Sequence, residues 1–138
     1  MYNILLTLSD CKCYHQDMIK LIFILSLLLC MPVFAGQYED ALRTGQPVCL
    51  YIHVKDCKYC KQTNQVFERI VQHYKKSYRF VSIDAQSPYG LLLMEDLRVG
   101  FVPFVMLADA RRQYVTPIFP SCSIDYACTE KEMKNFLK

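Results

Sequence analysis

Val48-Cys49-Leu50-Tyr51-Ile52-His53-Val54-Lys55-Asp56-Cys57-Lys58-Tyr59-Cys60-Lys61 decides how this chain folds. Its first seven residues are apolar or β-prone and follow Pro47, the pattern of a strand covered on both faces. Beyond Tyr59 the apolar period lengthens. Val66, Phe67, Ile70, Val71 and Tyr74 fall on one face of a helix. Cys57 and Cys60 stand at the changeover, on the first turn of that helix. Two sulfurs at this spacing can close a small disulfide and reopen it. The first meets the positive end of the helix dipole, which favours thiolate over thiol. Thiolate is the nucleophile of disulfide exchange, so the placement points to redox chemistry.

Further elements lie on either side. Residues 38–43 are predicted as a short helix stopped by Gly45, residues 47–54 as the first strand and residues 59–74 as the helix after the cysteines. Residues 79–84 read as a second strand, with Phe80, Val81 and Ile83. Gln86-Ser87-Pro88 then leads into a helix over residues 89–97 that carries Leu92, Leu93 and Leu97. Residues 104–107 form a third strand. A turn at Asp109-Ala110-Arg111 leads to a fourth strand over residues 113–118, antiparallel to the third. Thr129-x-x-Glu132 has the form of a capping box, which predicts a final helix over residues 130–137. The order α-β-α-β-α-β-β-α implies an α/β fold: a mixed sheet with helices on both faces.

The length of 138 residues suits one domain, and 53% hydrophobic residues argue against disorder. A net charge of +3, with no basic run longer than the pairs Lys75-Lys76 and Arg111-Arg112, gives no footprint for nucleic acid. Part of the apolar content reads as an export signal. Lys20 supplies its positive end and residues 21–29 its apolar stretch, with Val33-Phe34-Ala35 as the cleavage site before Gly36. Residues 1–35 are thus an N-terminal extension plus signal, with Met18 as the expected start and cleavage after Ala35. Residues 36–138 are the folded domain. The apolar run is short for a spanning helix, which needs about 20 residues. The expected location is therefore periplasmic or secreted, the alternative being a membrane anchor that leaves the domain facing the periplasm. Leu27-Leu28-Leu29-Cys30 is no lipobox, because Leu29 is not small.

Five of the eight cysteines fall in the expected domain: Cys49, Cys57, Cys60, Cys122 and Cys128. An oxidising compartment favours disulfides, and an odd count leaves a free thiol. Cys49, inside an apolar strand, is the candidate.

With these elements in place the chain resembles the thioredoxin superfamily, in particular its small exported members. The resemblance covers roughly residues 37–138. Cys57-Lys58-Tyr59-Cys60 stands at the family's active-site position. Val99-Gly100-Phe101-Val102-Pro103-Phe104 is similar to the segment that ends in the family's cis-proline. The resemblance implies a thioredoxin-like fold with about four to five strands. It implies Cys57 as the attacking thiolate and Cys60 as the resolving thiol. Pro103 would lie in cis against the pair, with the Val102 backbone left to pair with an extended substrate. No cofactor is implied beyond the redox-active disulfide Cys57–Cys60, and no metal.

Three departures stand out. Lys55-Asp56 occupies the place of an aromatic residue. Tyr51 and His53 stand where many members have a buried acid; His53 is either a proton carrier or a packed strand histidine. A segment bearing Cys122 and Cys128 precedes the last helix. Those two close a structural disulfide, or else form a second redox pair that relays electrons. Lys58 and Lys61 add positive charge near Cys57, and Tyr59 is similar to the second dipeptide residue of exported isomerases and some reductases.

The leading reading is a thiol:disulfide oxidoreductase that reduces or isomerises disulfides in exported proteins. Its partners are those proteins and a further redox protein, and it works as a monomer. The alternative is a soft-metal protein on the same fold, holding Cu(I) through Cys57, Cys60, His53 and Met106. A third possibility is a non-catalytic domain in which the cysteines are only a clip.

Overall fold

The computed structural model describes residues 36–138, so the expectations for the signal segment, Met18 and cleavage after Ala35 lie outside the described residues. In chain order the elements are α1 (Gln37–Arg43), β1 (Val48–His53), α2 (Lys58–Tyr74), β2 (Arg79–Asp84), α3 (Pro88–Asp96), β3 (Phe104–Asp109), β4 (Tyr114–Ile118), α4 (Pro120–Ser123) and α5 (Tyr126–Phe136). The four strands form one sheet in the order β2-β1-β3-β4. β1 runs parallel to β2 and antiparallel to β3, and β4 closes a hairpin with β3.

The sheet is covered on both faces, and β1 shows why. Residues 48 to 52 of this strand are all buried. The pleat sends Val48, Leu50 and Ile52 to one face, where they meet Tyr38 and Ala41 of α1, Leu93 of α3, and Phe104 and Met106 of β3. It sends Cys49 and Tyr51 to the other, against Val66 and Ile70 of α2, Met133 and Phe136 of α5, and Val105 and Leu107. Each large apolar side chain buried this way contributes about 1.5–3 kcal/mol. A strand apolar at every position can be satisfied only between two layers, which fixes helices on both sides.

Local chemistry sets the ends of the elements. Gly45, just past α1, adopts φ +71°, where a side chain would be strained. The Ser87 hydroxyl accepts the Gly90 N–H at 2.9 Å and caps α3. A Cβ on Gly90 would lie 2.0 Å from the Asp84 carbonyl oxygen, so only glycine lets α3 start this close to the end of β2. Pro117 is tolerated within β4 because that strand is the edge of the sheet.

Four expectations are corrected. The final helix is not started by Thr129-x-x-Glu132. Asp125 is its N-cap, its carboxylate accepting the Cys128 N–H at 2.7 Å. Thr129 is buried inside the helix and donates its hydroxyl to the Cys122 carbonyl at 2.9 Å. The segment around Cys122 is not a plain loop but contains α4, with Pro120 in its first turn. Leu92 points to solvent at 62% exposure, and it is Leu93 that anchors α3. β3 also runs two residues past its expected end. Asp109 extends it by accepting the backbone N–H groups of Arg111 and Arg112 at 2.9 and 3.2 Å, which shapes the hairpin turn.

Candidate active site

β1 ends at His53 and α2 begins at Lys58, so the intervening residues deliver Cys57 to the N-cap of α2. The cap atom is the Cys57 sulfur itself, which accepts the Cys60 N–H at 3.1 Å. Cys57 is half-buried and Cys60, one turn on, is 2% exposed. Both are free thiols in this structure.

This geometry separates the acidities of the two sulfurs. Partial burial pushes the Cys57 thiol up. Hydrogen bonds from the Cys60 thiol and from the backbone N–H groups of Cys60 and Tyr59 outweigh it, and the net direction is down. Cys60 moves the other way: burial raises it first, and donating to Cys57 raises it further. The lowering at Cys57 therefore comes from the amide groups of the helix N-terminus and its partner thiol. The charges of Lys58 and Lys61, expected to act here, belong to exposed side chains and are not among its causes.

Beneath the pair lies Tyr51, fully buried on β1, whose hydroxyl donates to the Cys60 carbonyl at 3.0 Å. Burial, reinforced by the charge of nearby Cys60 and Cys57, pushes its phenol far up, so it remains a neutral donor. Tyr51 thus ties the turn carrying Cys60 to the sheet. His53 is placed differently. Its Nε2 lies 3.0 Å from the Ser82 Oγ and its ring packs 4.9 Å from that of Tyr51.

Val102 and Pro103 are joined by a cis peptide bond. Both line a cavity of about 350 Å³ together with Tyr59, Phe101, Pro120, Ser121 and Ile124. Tyr59 from the cysteine motif is 61% exposed, and Phe101 and Ile124 are also open to solvent. Among the described residues the Val102 N–H and carbonyl have no hydrogen-bond partner. Phe101, Pro120, Ser121 and Ile124 were not singled out from the sequence as site residues. The only available signal was Ile124, a bulky apolar residue in the polar stretch Ser121-Cys122-Ser123-Ile124-Asp125.

Cys122 and Cys128 are bonded to each other, with an S–S distance of 2.12 Å and Cα atoms 5.3 Å apart. Cys49 is a buried free thiol, and burial pushes its pKa up to about 12, which makes it unreactive. Met106 packs on the face of the sheet away from α2, among Leu50, Ile52 and Leu93, and so does not join the cysteines. Among the described residues no group of three or more His, Cys, Asp or Glu side chains is placed to share a metal ion.

A mixed four-stranded sheet, a C-x-x-C pair at the start of the helix after β1 and a cis-proline sharing a cavity with Tyr59 of that motif define the thioredoxin-like class of protein. The sequence model of the family described as thioredoxin-like matches residues 31–110, more than half of the chain, and the protein belongs to that family. α4 and α5, with the second cysteine pair, lie outside the matched stretch. No curated protein matches the chain. Among solved structures it is similar to a thioredoxin from Thermus thermophilus, at 23% identity and TM-score 0.60, over 72% of this chain and 83% of that one. It is also similar to mitochondrial thioredoxin 3 of Saccharomyces cerevisiae, at 16% identity and TM-score 0.59, over 72% of this chain and 87% of that one. The thioredoxin of Trypanosoma brucei brucei matches at 15% identity and TM-score 0.56, over 71% and 84% of the two chains. At these identities the likeness establishes the fold. That fold is one that supports thiol:disulfide oxidoreduction in general.

Proposed function

We propose that this protein is a thiol:disulfide oxidoreductase that reduces or isomerises disulfides in exported proteins through the Cys57–Cys60 pair. The observation that carries the reading is the placement of the pair, with the Cys57 sulfur capping α2 by accepting the Cys60 N–H at 3.1 Å and Cys60 buried one turn on. That geometry lowers Cys57 through the hydrogen bond from the Cys60 thiol and then through the Cys60 and Tyr59 amide groups, and it raises the buried Cys60.

The chemistry follows from that asymmetry. The Cys57 thiolate attacks one sulfur of a substrate disulfide. A Cys57–substrate disulfide forms, and the other substrate sulfur leaves as thiolate. Cys60 then loses its proton and attacks the Cys57 sulfur, expelling the second substrate thiolate. The substrate gains two electrons and the protein ends as the Cys57–Cys60 disulfide. A dithiol protein partner must reduce it again. In isomerisation a different cysteine thiolate of the substrate attacks the substrate sulfur of the mixed disulfide, so a new substrate disulfide forms and Cys57 leaves as the thiolate. The Tyr51 bond to the Cys60 carbonyl holds the resolving turn in place. The unpaired Val102 backbone next to Tyr59 and Pro103 offers main-chain hydrogen bonds to an extended segment. Export is supported by the charged and apolar pattern of residues 18–35 and by the Cys122–Cys128 bond, which suits an oxidising compartment.

Cys57→Ala should abolish dithiol-dependent reduction of insulin, and full activity in that variant would overturn the reading. Equilibration of the domain against glutathione or dithiothreitol sets the direction. A couple near about −270 mV identifies a reductase, whereas one near about −120 mV identifies a disulfide donor.

A further inference from the structure

Ile124 walls the apolar cavity beside Pro103. That residue also belongs to a second cavity of about 400 Å³ between α2 and the start of α5, whose polar walls are Gln62, Gln65, Arg69, Asp125 and Tyr126. The two cavities meet at Ile124 and follow one another along α2, from Tyr59 in the first to Arg69 in the second.

Within the second cavity the charges are unequally engaged. The Asp125 carboxylate is committed to the N-cap of α5. The Arg69 guanidinium lies 4.2 Å from the centre of the Tyr126 ring, and among the described residues it has no carboxylate within ion-pair distance. Tyr126 is itself fixed, its hydroxyl lying 3.3 Å from His73 Nδ1 and 3.4 Å from a Glu130 oxygen. Stacking on a held ring orients the guanidinium and leaves its N–H edge available for a carboxylate.

We infer that the α2–α5 cleft is a second subsite for the polypeptide whose disulfide Cys57 attacks, and that Arg69 there binds an acidic side chain of that polypeptide. The inference rests on the oxidoreductase reading and adds the substrate class: an extended segment with a bulky apolar residue beside its cysteine and an Asp or Glu farther along. The spacing is set by the helix. Tyr59 and Arg69 are ten residues apart, about 15 Å along α2 at about 1.5 Å per residue. An extended chain advances about 3.3 Å per residue, so the acidic residue falls about four to five positions from the one in the apolar cavity.

The test uses peptides that each hold one cysteine as its mixed disulfide with 5-thio-2-nitrobenzoate. Each carries a leucine beside the cysteine and either Glu or Lys at positions one to six on either side. Attack by reduced Cys57 on the peptide sulfur releases the coloured thiolate, and Cys60 then displaces the peptide. The wild-type protein should favour Glu over Lys by about fivefold at low salt, at the fourth or fifth position counted from the leucine and on one side only, and the preference should shrink as salt is added. Arg69→Ala should bring the ratio to one, Arg69→Glu should invert it, and Arg69→Lys should keep its sign. A flat ratio in the wild type, or one that Arg69→Ala and Arg69→Glu leave unchanged, overturns the subsite. The symmetric disulfide of the same aromatic thiol separates the two claims. If the wild type reduces it through Cys57 while the peptide ratio is flat, only the subsite fails. If no Cys57-dependent reduction occurs, the oxidoreductase reading fails and the subsite with it.

Discussion

The sulfur of Cys57 does two jobs with one set of contacts. As N-cap it closes the first turn of α2, and the N–H groups it accepts are those that favour its anion. Reactivity and helix initiation are therefore coupled at one residue. Because its pKa is lowered, Cys57 remains thiolate at pH values where an ordinary thiol is protonated, and it loses that form only as pH falls through the lowered value. The same sign governs stability. A group with a lowered folded pKa stabilises the fold fully above its unfolded pKa, and the contribution disappears as pH falls through the folded one. Cys60, raised by burial and by its bond to Cys57, should stay protonated across that window. Iodoacetamide should thus modify the reduced protein once, at Cys57, with a rate profile whose midpoint lies below about 8.5, the ordinary thiol value. Peptide mapping after a brief reaction at each pH checks this. A midpoint at or above that value, or equal labelling of Cys60, would contradict it.

Among the elements, those around the cysteines were the most legible. β1, α2 and β2 end within a residue or so of where periodicity puts them, because a fully apolar strand and a one-faced helix each have a single way to bury themselves. The position of Cys57 and Cys60 at the start of α2 was legible from the change of period between strand and helix, whereas the cis bond before Pro103 was expected only from the family resemblance. The far wall of the cavity was not legible. It joins Tyr59 to Ser121 and Ile124, residues more than sixty positions away, and no local pattern announces such a meeting. The C-terminal helix misled for a different reason. Thr129-x-x-Glu132 and Asp125-x-x-Cys128 are both plausible starts locally. The choice falls to Asp125 because Thr129 is buried and its hydroxyl is engaged by the Cys122 carbonyl, a contact of the α4–α5 corner. Asp125→Ala should therefore lower stability by about 1 kcal/mol, the usual worth of such a cap. Glu132→Ala should change it by no more than about 0.5 kcal/mol, since nothing at the helix start depends on its carboxylate. Urea unfolding of the two variants distinguishes the starts, and the opposite order would restore the capping box.

The described residues divide into a half that carries the cysteine motif and a stapled half. The family match ends at residue 110, having covered the cysteine motif, the cis-proline and β3. The remaining stretch supplies β4 and then the α4–α5 corner, where the Cys122–Cys128 bond joins residues six apart. That corner is also held by Thr129 on Cys122, by Ser123 on the Pro120 carbonyl at 2.9 Å, and by Ser123 against Thr63 of α2 at 3.3 Å. These contacts position Pro120, Ser121 and Ile124, which are the cavity wall facing Pro103. The staple therefore shapes the cavity wall opposite Pro103. Replacing both Cys122 and Cys128 by Ala releases a loop whose closure is worth about 2 kcal/mol in the chain-entropy account, so the urea midpoint should fall accordingly. Reduction of a small aromatic disulfide needs no wall and should persist in the folded variant. Reduction of a protein disulfide should show a raised KM with kcat little changed, because the wall acts on binding and not on the attack by Cys57. If instead turnover of both substrates collapses while the fold is intact, the second pair carries electrons and the staple account is wrong.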